Sequence, residues 1–250
     1  MSLAHGRQYL AIPGPSVMPD RVLAAMHRAA PNIYEGALID MVATLWPDLK
    51  AVACTQQHVA LYIGNGHAAW EAANANVFSR GDKALVLITG RFGEGWAASA
   101  EAMGVQSTRL DFGRSAAFDL ARVAEVLAAD KAHTLKAVLA THVDTSSTAR
   151  NNIAGLRQLL DDLNHPALLM VDAIASLACD AFRMDDWGVD VLVGASQKGL
   201  MVPPGLGFLW FSEKAREASR AFYQSPPHRN RGTPAVLGGV LHQERGPPAP

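Results

Sequence analysis

The chain predicts an α/β fold, a mainly parallel sheet flanked by helices, and three features of the sequence predict it. Short apolar runs alternate with stretches of helical periodicity, the pattern of repeated βαβ units. The runs Leu168-Leu169-Met170-Val171 and Val191-Leu192-Val193 carry no polar alternation, as strands covered on both faces do. Glycine or polar clusters follow the strands directly, at the carboxyl ends where open α/β sheets place ligands. Bulk composition agrees: 250 residues allow one large domain or one domain plus a fragment of a second. A hydrophobic share of 49% against 18% charged suits a packed core. A net charge of -1 asks for neither nucleic acid nor an anionic membrane as partner.

Residues 1–16 read as an extended arm ending in Pro13-Gly14-Pro15-Ser16. A helix over 19–28 starts with Pro19 near its first turn. Leu38, Met41, Val42, Leu45, Leu49 and Val52 fall at helical spacing and predict a helix over 36–54, with Pro47 a potential kink. An apolar strand over 58–63 closes on Gly64-Asn65-Gly66-His67, and a helix over 68–78 follows. The strand over 84–88 leads through Thr89-Gly90-Arg91-Phe92-Gly93 into a helix reaching 103. Strand 105–110, helix 120–129, strand 137–141 and helix 151–163 continue the alternation. Strand 168–172 ends on a carboxylate, strand 189–194 stops just before Ser196-Gln197-Lys198, and 207–211 is a last strand. Beyond 222 the texture turns rich in proline, glycine and arginine without sustained periodicity, which predicts a loose tail over 223–250.

Five of these strand ends carry groups with chemistry in reach. Lys198 stands just past a buried strand, where Schiff-base chemistry finds a partly buried amine; a surface lysine in a loop is the plain alternative. Asp172 ends a fully apolar strand, so its charge needs a partner. A protonated pyridine nitrogen is one such partner, and capping the next helix is the other. The Gly64-Asn65-Gly66-His67 turn offers backbone N–H groups to a phosphate. It fits neither GxGxxG nor a Walker A loop, which speaks against a nucleotide. Phe92 is either a wall against a flat ring or core. The run Thr141-His142-Val143-Asp144-Thr145-Ser146-Ser147-Thr148 holds hydroxyl donors, or is a polar loop capping the next helix. In a parallel sheet all five ends share one edge.

This order of features resembles the fold-type I pyridoxal-phosphate (PLP) enzymes, and within them the class V aminotransferases of the alanine–glyoxylate and serine–glyoxylate type. The segments that carry the resemblance are PGPSVMPDRVLAAM, GNGHAAWEAANANVFSRGDKALV, THVDTSSTARNNI and the block from LLMVDAIAS through WGVDVLVGASQKGLMVPPG to FLWFSEKA, together spanning about 11–216. The resemblance implies pyridoxal 5'-phosphate as cofactor, with Lys198 binding it covalently and shuttling a proton, and Asp172 pairing with its ring nitrogen. It further implies Ile174 and Phe92 on opposite ring faces, Thr145 near the phenolate oxygen, and Gly66, His67 and Gln197 at the phosphate. Residues 32–36 fall where the family places a loop near the partner's site, so a homodimer is implied. The implied reaction moves an amino group from a small amino acid to glyoxylate or another 2-oxo acid.

Against the family pattern, the likeness fades after about Arg216, and Arg229, Arg231 and Arg245 do not match the arginine that clamps the substrate carboxylate. The expectation is therefore an arm over 1–16, a PLP-binding large domain over 17–222 and a divergent tail, in a truncated or frame-shifted chain with reduced or no turnover. A cysteine desulfurase-like lyase is the rival within the fold; it would need a histidine before the lysine and a mobile cysteine. Here Gln197 precedes Lys198, and Cys54 and Cys179 read as reduced structural thiols. No metal site is expected, and a cytoplasmic location is the default.

Overall fold

The computed structural model describes residues 10–224, and for 221–224 the backbone alone. The start of the arm and the stretch holding Arg229, Arg231 and Arg245 lie outside the described residues.

Two helices lead in: α1 (Asp20–Met26) and α2 (Ala37–Ala53). The alternating body follows as β1 (His58–Gly64), α3 (Gly66–Val77), β2 (Lys83–Ile88), α4 (Arg91–Ala102), β3 (Gln106–Asp111), α5 (Leu120–Ala129), β4 (Leu135–Thr141) and α6 (Ile153–Asp162). Then come β5 (Leu168–Asp172), β6 (Val191–Ala195), β7 (Gly205–Phe211) and α7 (Glu213–Gln224). The strands form one seven-stranded sheet in the order β1-β7-β6-β5-β4-β2-β3. Pairs β6·β5, β5·β4, β4·β2 and β2·β3 are parallel, whereas β7 runs antiparallel to both β6 and β1. Because β1 opposes β7 and β7 opposes β6, β1 points the same way as the central strands. The carboxyl ends of β1, β2, β4, β5 and β6 therefore share one edge.

Two apolar layers sandwich the sheet. On one side Leu85, Leu87, Val138, Leu156, Leu160, Leu169 and Trp210 pack under α2, α5 and α6. On the other, Trp70, Val86, Trp96, Leu139, Met170 and Val193 pack under α3 and α4. Central strands β5 and β6 are buried at every position, as their uninterrupted apolar sequences require. The edge strand β3 is polar and largely exposed, which discourages further strand pairing.

Helix α2 runs through Pro47 without interruption. Its end is tied down by Trp210 Nε1–H donating to Leu49 O (2.8 Å) and by the Met184 N–H donating to Ala53 O (2.9 Å). Helix α7 was not expected from the sequence. Its pattern is strongly amphipathic: Glu, Lys and Arg crowd the exposed face, and among the described side chains of 213–220 the buried ones are Ala215 and Ser219. Glu213 anchors its start by accepting from His58 Nε2 (3.0 Å) and Arg216 Nε (3.1 Å). The helix extends to Gln224, past the expected start of the tail at 223. Both cysteines are free and exposed rather than buried in a core. Cys54 follows α2 in a left-handed conformation (φ 52°), and Cys179 sits in the turn after β5. No described helix is long and apolar enough to cross a membrane.

Candidate active site

The site is built at the edge shared by the five strand ends. Asp172 closes β5 and is 4% exposed. Its Oδ1 accepts the Ile174 N–H (2.7 Å), and its Oδ2 accepts the indole N–H of Trp70 (3.0 Å). The chain leaves β5 in a series of turns, so Asp172 caps no helix. Burial pushes its carboxyl up to about 7, against the lowering effect of the Ile174 and Trp70 donors; Asp144 adds to the rise and Lys198 opposes it. A carboxyl held in this way takes a cationic partner readily, because the partner replaces the hydration it has lost.

Trp70, on the first turns of α3, is the residue that the sequence reading missed. A buried tryptophan needs an acceptor for its N–H, which was the available signal. Its ring meets His67 edge-on (4.7 Å), Phe92 edge-on (6.3 Å) and Trp96 in a near-parallel stack (6.1 Å). Phe92 and Ile174 are half-buried and pack on the same apolar layer as Trp70. Gly66, the first residue of α3, is buried, and a side chain there would collide with Ile174. The structure thus brings Gly66, Trp70, Phe92, Asp172 and Ile174 into one continuous cluster.

The turn before α3 differs from expectation in one respect. The N–H groups of His67 and Ala68, read from sequence as donors for a phosphate, both donate to Asn65 Oδ1 (3.0 and 3.1 Å). Asn65 is an N-cap residue of the preferred kind. The His67 side chain is exposed beside this turn.

Lys198 follows β6 and is half-buried. Its loop packs on the turn after β5: a side chain at Gly199 would collide with the Leu177 carbonyl and with Cys179 Sγ. Neighbouring Ser196 is buried, and its hydroxyl donates to Pro203 O (2.6 Å) while accepting the Leu206 N–H (3.2 Å). Gln197 Oε1 is buried with no hydrogen-bond partner among the described residues.

The polar run after β4 is a tertiary cap. Asp144 is fully buried, and its Oδ2 accepts the N–H groups of Phe92 (2.9 Å) and Gly93 (3.0 Å) at the start of α4. Its Oδ1 accepts from Ser146 N (2.9 Å) and Ser146 Oγ (2.7 Å), and the Arg91 N–H donates to Ser146 Oγ (2.8 Å). The residue before α4, Gly90, supplies no side-chain cap of its own, and a side chain there would overlap Asp144. The helix that follows the run is capped by Asn152 instead. Thr145 stands half-buried between these anchors. Beneath them Asn151 Nδ2 donates to Thr89 Oγ1 and to Thr141 O (2.9 Å each), joining the ends of β2 and β4. Replacing Asp144 by alanine leaves the half-buried Phe92 N–H and the buried Gly93 N–H of α4 without acceptors. The loss should reach on the order of 3 kcal/mol in urea unfolding. A change within a few tenths would show that Asp144 does not hold Phe92 in place.

Known proteins share this arrangement of elements. The family model described as aminotransferase class-V matches residues 8–238. The chain belongs to the class-V aminotransferase family. The match extends beyond residue 216, where the likeness was expected to fade. This class-V chain is 38% identical over 208 residues to the L-aspartate–glyoxylate aminotransferase of Paracoccus denitrificans, covering 83% of the chain and 52% of the relative. It is 35% identical over 215 residues to the serine–glyoxylate aminotransferase of Methylorubrum extorquens, covering 86% and 54%. The crystal structure of ureidoglycine–glyoxylate aminotransferase from Bacillus subtilis superposes with a TM-score of 0.79 at 25% identity, over 86% of this chain and 54% of that one. The fold is thus that of the large domain of fold-type I PLP aminotransferases. The chain spans about half the length of the curated relatives it matches.

Proposed function

We propose that this class-V chain holds pyridoxal 5'-phosphate and belongs to an aminotransferase moving an amino group from a small amino acid to glyoxylate or another 2-oxo acid. The observation that carries the reading is the pairing of a buried carboxyl, Asp172, with a half-buried amine, Lys198, on adjacent strand ends of one sheet edge. The residues present fit the cofactor. Asp172 is a buried acid whose environment favours a cationic partner. Phe92 and Ile174 supply apolar surface, and Gly66 keeps the start of α3 clear of any side chain.

When bound, the cofactor supplies an aldehyde and a cationic ring that withdraws electrons from the amino acid's α-carbon. In this reading Lys198 would hold the cofactor through its Nζ, and the same amine would carry a proton to and from the substrate. Asp172 would face the ring nitrogen and favour its protonated form, while Trp70 and the Ile174 N–H keep that carboxylate oriented. By the family resemblance, Thr145 would lie near the phenolate oxygen, and His67 and Gln197 near the phosphate. The names of the curated relatives, serine–glyoxylate and L-aspartate–glyoxylate aminotransferase, support the acceptor class.

An absorbance scan tests the reading. Adding pyridoxal 5'-phosphate to the purified protein should raise a visible band that shifts with L-serine or L-alanine and returns with glyoxylate. A band that never shifts would mean binding without transfer. The absence of any band would overturn the proposal.

A further inference from the structure

Residues 13–16 of the arm reach across the whole chain to the lysine loop. The Ser16 N–H donates to Gln197 O (2.8 Å), and the Ser16 hydroxyl donates to Lys198 O (2.7 Å). Lys198 Nζ itself donates to Pro13 O (3.2 Å). Between these contacts Gly14 lies flat on the lysine side chain. A β-carbon built there would stand 2.8 Å from Lys198 Cδ and 2.9 Å from Nζ, and its φ of +134° is one that other residues rarely adopt.

We propose that residues 13–16 are a positioning strap for Lys198, with Gly14 the residue whose missing side chain leaves the amine its place. The consequence for chemistry rests on reading Lys198 as the cofactor lysine. A lysine stem is long and flexible, so an unrestrained amine samples many directions. Here the main chain is pinned from above by Ser16, and the Pro13 carbonyl selects one direction for Nζ. The strap also shields the amine, which must leave the Pro13 carbonyl before it can attack an aldehyde. The hydrogen bonds of Pro13 and Ser16 go to Gln197 and Lys198, so the strap's effect is on the orientation and access of the amine.

Trace labelling of lysines with acetic anhydride, read peptide by peptide by mass spectrometry on protein without added cofactor, tests this. Exposed Lys83 and Lys131 serve as internal references. Ser16→Ala should raise the labelling rate of Lys198 about fivefold, the effect of losing one hydrogen bond. Ser16→Thr, which keeps the hydroxyl, should restore it, with both references unchanged. Gly14→Ala should change Lys198 labelling by a similar factor as the new methyl displaces the amine. Should Gly14→Ala unfold the protein, all lysines would label faster together, and Ser16→Ala decides alone. Lys198 labelling equal to wild type in Ser16→Ala overturns the strap. Borohydride capture of pyridoxal 5'-phosphate, measured separately, distinguishes the two ideas. Capture at Lys198 with flat labelling sinks only the strap. Strap-dependent labelling without capture at Lys198 sinks only the cofactor reading.

Discussion

Lys198→Arg should abolish covalent capture of pyridoxal 5'-phosphate. After borohydride reduction the wild-type peptide containing Lys198 should carry the reduced cofactor, and the variant should carry none anywhere in the chain. Arginine keeps the charge and most of the stem, so the loop that packs on Leu177 and Cys179 is retained. What disappears is a primary amine able to condense with an aldehyde, which a guanidinium cannot replace. Any turnover the wild type shows should fall by at least about 10²-fold, the scale of losing a positioned acid–base group. Equal capture in the variant would remove the central claim, since it would put the reactive amine elsewhere.

Asp172→Asn should weaken cofactor binding and remove a pH dependence. Truncating one member of a buried, hydrogen-bonded charge pair costs about 2 kcal/mol or more, so affinity should fall at least roughly thirtyfold. The pH effect follows from burial, which holds the folded carboxyl up to about 7 against an ordinary value of 3.8. Between these values the folded chain keeps a proton that the unfolded chain has released. The contribution of Asp172 to stability is therefore complete below about pH 4, declines as pH rises to about 7 and is constant above. The decline amounts to at most about 4 kcal/mol.

His142 acts in the opposite sense. Burial, aided by Arg150 and opposed by Asp180, lowers its imidazole to about 4. Its contribution grows as pH rises from about 4 towards the ordinary imidazole value of 6.5. Comparing wild type with Asp172→Asn by thermal melts at pH 5 and pH 8 isolates the carboxylate. Without cofactor, the variant should lose less stability than wild type between the two pH values. With cofactor, the stabilisation of wild type should be larger at pH 8, where a cationic ring meets an ionised carboxylate. That difference should vanish in the variant. Identical pH profiles for the two proteins in the presence of cofactor would show that Asp172 faces no cation.

Much of the fold could be read along the chain because its signals are local. The uninterrupted apolar runs of β5 and β6 could only be strands covered on both faces, and helix α5 falls on its predicted residues. Helix α7 was missed because over 213–220 its periodicity lies in charged residues, with small ones buried among the described side chains, a pattern an apolar search passes over. The antiparallel placement of β7 was equally invisible. A short apolar run does not state its direction, which is set by the loop that turns back through Pro203, Pro204 and Gly205.

By itself the sequence determined the identity and order of the groups at the strand ends: the Gly66 turn, Phe92, the hydroxyl run, Asp172 and Lys198. Residue type and position just past an apolar run are local properties. Only the tertiary structure decided their partners. It gave the Asp172 carboxylate to Trp70, the start of α4 to Asp144 and the Lys198 amine to Pro13, across separations of 102, 52 and 185 residues. Hydrogen bonds over such distances depend on which strands lie side by side. That order is fixed by burying two apolar layers against one sheet, and no single segment encodes it.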